Sequence, residues 1–222
     1  MKKIYILLFL LSSVSFFFSC TKGDQYYADY VNITQSFDGT ILEYLESQPG
    51  TFDSLVLVLD RLPELRDSLN DSGKEITLFA VTNRSFQIAI DAMNTARELS
   101  GRKPLYLEDL SKSDLDSLTC RYAFSGLYDT ESLFSFKEGQ TVASMRYGYD
   151  MNMLFKETDA SGFVQGGQQQ LMLSDVNNSI FQRYWKTINT ASVNLYTSNG
   201  VLHILSTGHD FGFNKLTTKF SQ

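Results

Sequence analysis

Two histidines and two cysteines carry most of the reactive chemistry this sequence offers: His203, His209, Cys20 and Cys120. A catalytic thiolate wants an adjacent imidazole, and neither histidine lies near Cys120 in sequence. A zinc site would need carboxylates or Cys120 to complete the pair of histidines, and no spacing supplies them. His203 sits between Leu202 and Ile204 in a strand-like run, where alternation puts it on the face of Val201 and Leu205. That is the setting of a buried, hydrogen-bonded structural imidazole. Serine hydrolysis would call for a G-x-S-x-G elbow, and nucleotide binding for a P-loop or a G-x-G-x-x-G turn. None of these occurs. No catalytic residue, cofactor or metal is expected, and an uncharacterised hydrolase ranks third among the readings.

Binding chemistry is better represented. Tyr147, Tyr149, Met151, Met153 and Phe155 alternate along one tract, and Trp185, the sole tryptophan, follows Tyr184. If one face of the tract is exposed, its rings could stack on sugars or hold a protein partner. If not, one face is core and the other a strand edge. Tyr147, Tyr149 and Trp185 are the candidate ligand-binding residues. Three D-S-L tripeptides, at Asp53-Ser54-Leu55, Asp67-Ser68-Leu69 and Asp116-Ser117-Leu118, resemble an O-glycosylation acceptor of exported proteins. They also fit ordinary helix capping and periodicity.

The N-terminus gives an address. Lys2-Lys3 precedes an apolar run of 15 residues, Ile4 to Phe18, within signal-peptide range and short for a membrane span. Ser19-Cys20 closes the run before the polar Thr21-Lys22-Gly23-Asp24-Gln25. This resembles a bacterial lipoprotein signal with Phe17 where leucine is usual. Cys20 would become the lipid-bearing N-terminus. The alternatives are an ordinary secreted protein or an uncleaved anchor. With Cys20 acylated, Cys120 has no partner and becomes a buried structural thiol. Asp24, just after the lipid cysteine, is a slight sign of export to the outer surface. Cleavage before Cys20 removes only the two leader lysines and takes the formal charge from −6 to −8. So acidic a chain is poorly suited to nucleic acid. The expected partners are an outer membrane, through the lipid, and an extracellular or envelope protein or polysaccharide.

The elements that must position these residues divide into two textures. Residues 1–19 read as signal peptide, 20–35 as lipidated cysteine and flexible tether, 36–206 as one domain and 207–222 as a C-terminal extension. Helical spacing appears in Phe37 to Gln48, then in a stretch with Leu55, Leu59, Leu62 and Leu69 on one face, capped by Thr51 or Asp53 and broken at Pro63. Ile76 to Val81 is a strand, and Asn83 starts a helix reaching Leu99. Lys112 to Leu118 is a short helix capped at Ser111 or Ser113. Strand-like runs follow at Thr141 to Tyr147, Met151 to Phe155, Gln169 to Leu173, Ser192 to Leu195 and Val201 to Leu205. Asn199-Gly200 reads as a tight turn, because both residues tolerate positive φ. Helices early and strands late give an α+β class.

Two separated segments carry a family resemblance. Thr77-Leu78-Phe79-Ala80-Val81-Thr82-Asn83-Arg84-Ser85-Phe86 matches T-x-F-A-P-T-x-x-A-F at Thr77, Phe79, Ala80, Thr82 and Phe86. Ser198-Asn199-Gly200-Val201-Leu202-His203-Ile204-Leu205 matches S-N-G-V-I-H-V-I. Together they resemble the signature motifs of the fasciclin (FAS1) family. The resemblance implies a fasciclin-like fold, helices packed on a twisted β-sandwich or wedge of short strands, with these motif residues in structural roles. Arg121 to Gly126 stands where the family carries a Tyr-His segment linked, in animal members, to integrin binding; here that pair reads Arg121-Tyr122. The function implied is a lipid-anchored, non-catalytic binding or adhesion protein of the bacterial envelope. The alternative is an accessory glycan-binding lipoprotein of a polysaccharide uptake system.

Overall fold

The computed structural model describes residues 35–157 and 169–221. The leader 1–19, Cys20 and the tether up to residue 34 lie outside the described residues. Three short helices open the domain: α1 (Ile41–Glu46), α2 (Asp53–Asp60) and α3 (Pro63–Asn70). A capping box starts α1, with the Thr40 hydroxyl accepting from the Glu43 N–H and the Glu43 carboxylate accepting from the Thr40 N–H. Pro63 occupies the first turn of α3, where its missing N–H is harmless, so the expected break separates two helices. Neither Thr51 nor Asp53 caps α2. The Ser54 N–H donates instead to Oδ1 of Asn83, from the start of the next helix in space (2.8 Å). Leu55, Leu59, Leu62, Leu65 and Leu69 are all buried.

Strand β2 (Ile76–Ala80) is buried at every position, as suits a largely apolar strand covered on both faces, and its one polar side chain, Thr77, donates its hydroxyl proton to the Gly126 carbonyl (2.7 Å). It pairs antiparallel with β3 (Ala123–Ser125) and parallel with β8 (Gly200–Leu205). The remaining strands are β1 (Gln35–Ser36), β4 (Gln140–Ala143), β5 (Asp150–Glu157), β6 (Gln169–Asp175) and β7 (Lys186–Thr197). The sheet runs β3-β2-β8-β7-β6-β5-β4, with β1 beside β7. Strand β7 spans two pairings: its first residues pair with β6 and its later ones with β8, across two register shifts. Such bulges bend a strand and let one sheet fold on itself. The architecture is α+β with a mixed sheet of short strands, as the sequence indicates.

Helix α4 (Asn83–Leu99) lies against the C-terminal segment and its helix Lys215–Phe220. Phe211 stacks on Phe86 with centroids 4.2 Å apart, and Tyr122 stacks on Phe213 at 5.4 Å. Residues 207–222 were expected as an extension beyond a domain ending at 206. Phe211, Phe213 and Leu216 instead belong to the core. At the other end, Gln35 pairs with Leu195 in β1, so the strand begins inside the expected tether. Among the described residues, no helix is long and apolar enough to cross a membrane.

The Asn199-Gly200 turn differs from its expected form. Ser198 and Asn199 make the turn, Gly200 already belongs to β8, and neither Asn199 nor Gly200 has positive φ. Gly200 is required by proximity, since a Cβ there would stand 1.9 Å from the Ile76 carbonyl oxygen across the β2–β8 pair.

Candidate binding surface

The motif residues are interior. Thr77, Phe79, Ala80, Phe86 and His203 are at most 1% exposed, with Asn199 at 2% and Thr82 at 8%, and Gly200 is buried. Asn199 is a bracket between helices: its Oδ1 accepts from the Ile41 N–H (2.9 Å), and its Nδ2 donates to the carbonyls of Leu69 (2.9 Å) and Asp71 (3.2 Å). One amide thereby caps the start of α1 and the end of α3. Thr82 occupies the N-cap position of α4, but its hydroxyl makes no capping bond.

His203 receives the N–H of Asn194 at Nδ1 (3.1 Å), and its Nε2–H donates to the Tyr128 carbonyl (2.9 Å). Those two partners set the tautomer. Asn194 has φ 58° in the irregular part of β7, so the imidazole collects an N–H that the ladder leaves over. Burial pushes the pKa of His203 down to about 4 and that of His209 to about 3. Nε2 of His209 lies 2.7 Å from the Tyr122 hydroxyl, which also accepts from the Gly212 N–H. The Cys120 thiol is buried, donates to Asp116 Oδ1 (3.1 Å), and is pushed well up by burial. These groups are neutral and internally satisfied, and none is poised for proton transfer.

The three candidate ligand-binding aromatics fare differently. The strand expected from Thr141 to Tyr147 stops early: β4 ends at Ala143, and Tyr147, with φ 62°, lies in the connection to β5. Met151 and Met153 are core, while Tyr147 is 53% exposed. Tyr147 stacks on Tyr149 (5.7 Å) and donates its hydroxyl proton to Asp116 (2.9 Å). Tyr149 lies under the Arg121 guanidinium, 3.6 Å from its ring centre. Trp185 is half-buried, and its Nε1–H donates to the Ser179 carbonyl (2.7 Å). The register brings all three to one end of the sheet: Asp175 pairs with both Met151 and Lys186, the near neighbours of Tyr149 and Trp185.

At that end lies a cleft of about 390 Å³. Arg121, Lys186, Lys215 and Lys219 line it together with Asn177 and Asn214, and no carboxylate does. Asp175, 3% exposed, is shared beneath it by Arg121 and Lys215, each at 3.2 Å. Lys219 pairs with Asp114, and that hydrogen bond helps hold the Asp114 carboxyl below its usual range. Lys186 has no partner among the described residues. On the loop before it, Phe181 and Tyr184 are more than half exposed, with the Arg183 guanidinium over both rings. Sequence reasoning missed these cations because they come from three distant segments, joined only by the fold.

Neither a family sequence model nor a curated protein sequence matches the chain. The structure, however, has a fasciclin-like fold. It is similar to a solved FAS1 domain pair from the insect cell adhesion molecule fasciclin I, with a TM-score of 0.53 and 19% identity over 75% of this chain. The match covers 49% of that solved chain, so this chain spans about half its length.

Proposed function

We propose that this protein is a non-catalytic binding module of adhesion type, held on the outer membrane of a bacterial envelope by lipid on Cys20. The fasciclin-like fold carries the reading, because the solved neighbour comes from a cell adhesion molecule. The chemistry of the interior supports it. Both histidines and Cys120 are buried, neutral and hydrogen-bonded, which leaves the surface as the working part. The basic n-region, apolar run and Ser19-Cys20 support the anchor, and a full lipoprotein acyl set exceeds the single chain that binds membranes only marginally.

The test has two arms. Cells expressing the wild type and Cys20→Ser are fed labelled palmitate and fractionated. Label and membrane association in the wild type, both lost in the variant, are expected; label retained in Cys20→Ser would sink the anchor. Cells displaying the protein are then tested for retention on envelope and extracellular material, where no gain over cells lacking it would sink the binding role. The cleft favours a second reading, glycan capture beside an uptake system.

A further inference from the structure

We propose that the cleft at the β5–β6–β7 end binds the acidic groups, carboxylate or sulfate, of a polysaccharide. The inference rests on the binding-module reading and names its ligand class. Its first support is a local charge opposite to that of the whole molecule. The chain is at −6, yet four cations line this cleft and, among the described residues, only Asp175 and Asp114 pair with them. Two positive charges are left over among the described residues, one of them Lys186. Oxyanions are drawn to such a site when it is partly shielded from water.

The second support is Arg121. It is 8% exposed, and its Nε–H is buried with no acceptor among the described residues. Its Nη1 is committed to Asp175 and its face to Tyr149. A buried donor of a charged group left unpaired is costly, so Asp175 leaves the Arg121 guanidinium in this wall incompletely satisfied and its positive charge available to an oxyanion in the cleft.

The third support makes the ligand a sugar chain instead of a small ion. The loop that runs from Asn177 to Lys186, both cleft-lining, carries Phe181 and Tyr184 exposed on its way. Asn177 fastens it by donating from Nδ2 to the Tyr184 carbonyl (3.3 Å). Exposed rings beside cations match what an acidic polysaccharide presents: apolar sugar faces and regularly spaced anions.

The intact protein in detergent is titrated with polygalacturonate, dextran sulfate, neutral dextran and inorganic sulfate. Binding of one or both acidic polymers and not of neutral dextran is expected. It should weaken as salt rises from about 0.05 to about 0.5 M, where charge interactions are screened within a few ångströms. Lys186→Gln should lower affinity about tenfold, the scale of one charge-assisted hydrogen bond, with unchanged thermal unfolding. The double variant Phe181→Ala/Tyr184→Ala should weaken the polymers and leave inorganic sulfate unaffected. Equal binding of neutral dextran, an affinity indifferent to Lys186→Gln, or binding of inorganic sulfate alone would overturn the proposal. Polymer binding by a protein whose cells show no adhesion supports the cleft and sinks the adhesion reading; adhesion without polymer binding does the reverse.

Discussion

Gly200 and Ile76 approach so closely that a Cβ on Gly200 would stand 1.9 Å from the Ile76 carbonyl oxygen. The backbone fixes where that Cβ must stand, and the carbonyl is itself backbone of the paired strand, so no side-chain rotation relieves the clash. Gly200→Ala is expected to destabilise the protein by about 3 kcal/mol or more, the upper end of overpacking costs, in a urea unfolding curve. A loss under about 1 kcal/mol, within the range of a tolerated core change, would show that the two strands can part.

Asn199 gives a complementary test. Asn199→Ala strips an acceptor from the Ile41 N–H and two donors from the Leu69 and Asp71 carbonyls. Buried groups left unpaired cost about 1–3 kcal/mol each, and the expected loss is roughly 3 kcal/mol after relaxation. Amide exchange should quicken first at Ile41. Protection that is unchanged there would remove the helix-bracketing role.

Stability should fall on acidification. His203 and His209 stay neutral in the folded chain down to about pH 4 and about pH 3, because burial penalises the imidazolium, whereas in the unfolded chain both titrate near about 6.5. Their contribution is complete above that value and is lost as pH falls through the folded pKa values. For His203 the shift amounts to roughly 3 kcal/mol. Asp210 has the opposite sign: burial raises it to about 6, so its contribution is present at low pH and lost as pH rises through that value. Two imidazoles against one carboxyl leave a net decline in unfolding midpoint from pH 7 to pH 4. His203→Gln, able to accept from Asn194 and donate to Tyr128 without titrating, should flatten it. A wild-type midpoint constant over that range would contradict the neutral, buried imidazoles.

The C-terminal segment is predicted to be indispensable. Phe211 is fully buried and stacks between Phe86 and Tyr122. Phe211→Ala should cost about 3–5 kcal/mol, and truncation after Ser206 should abolish cooperative unfolding. A truncated chain with a sharp thermal transition would return residues 207–222 to the status of an extension.

Cys120 should be inert. With Cys20→Ser it is the remaining thiol, buried and held protonated beside Asp116, whereas alkylation needs the thiolate and access. Iodoacetamide at pH 8 should label it only after denaturation; rapid labelling of the native protein would mean that the site opens.

Much of the frame was readable in the sequence because it depends on local signals. Pro63 marked the α2–α3 break, Ser111 is the N-cap of α5 (Lys112–Thr119), and the bounds of α4 follow from its periodicity. The turn at Ser198-Asn199 was misread in mechanism: Asn-Gly suggested left-handed φ, but the structure uses the pair for an amide bracket and a backbone contact, both set by partners over a hundred residues away. The end of the strand before the aromatic tract was misplaced for a related reason. The strand-like run reads on to Tyr147, but β4 ends at Ala143, and Tyr147 and Gly148, with φ 62° and 61°, turn the chain before β5 begins. The cleft left no local trace at all, since Arg121, Lys186 and Lys215 are ordinary charges until Asp175 gathers them.

The placement of β2 between β3 and β8 also shapes how the chain acquires its structure. Ile76 waits for Gly200, so the leucine-rich helices of the first third have no completed sheet to cover until the final strand is available. Pairings between such distant segments slow folding, and no early fragment can close the core. A chain made from its N-terminus onward would remain pliant until almost all of it exists, a delay that keeps it threadable through a narrow channel before it locks.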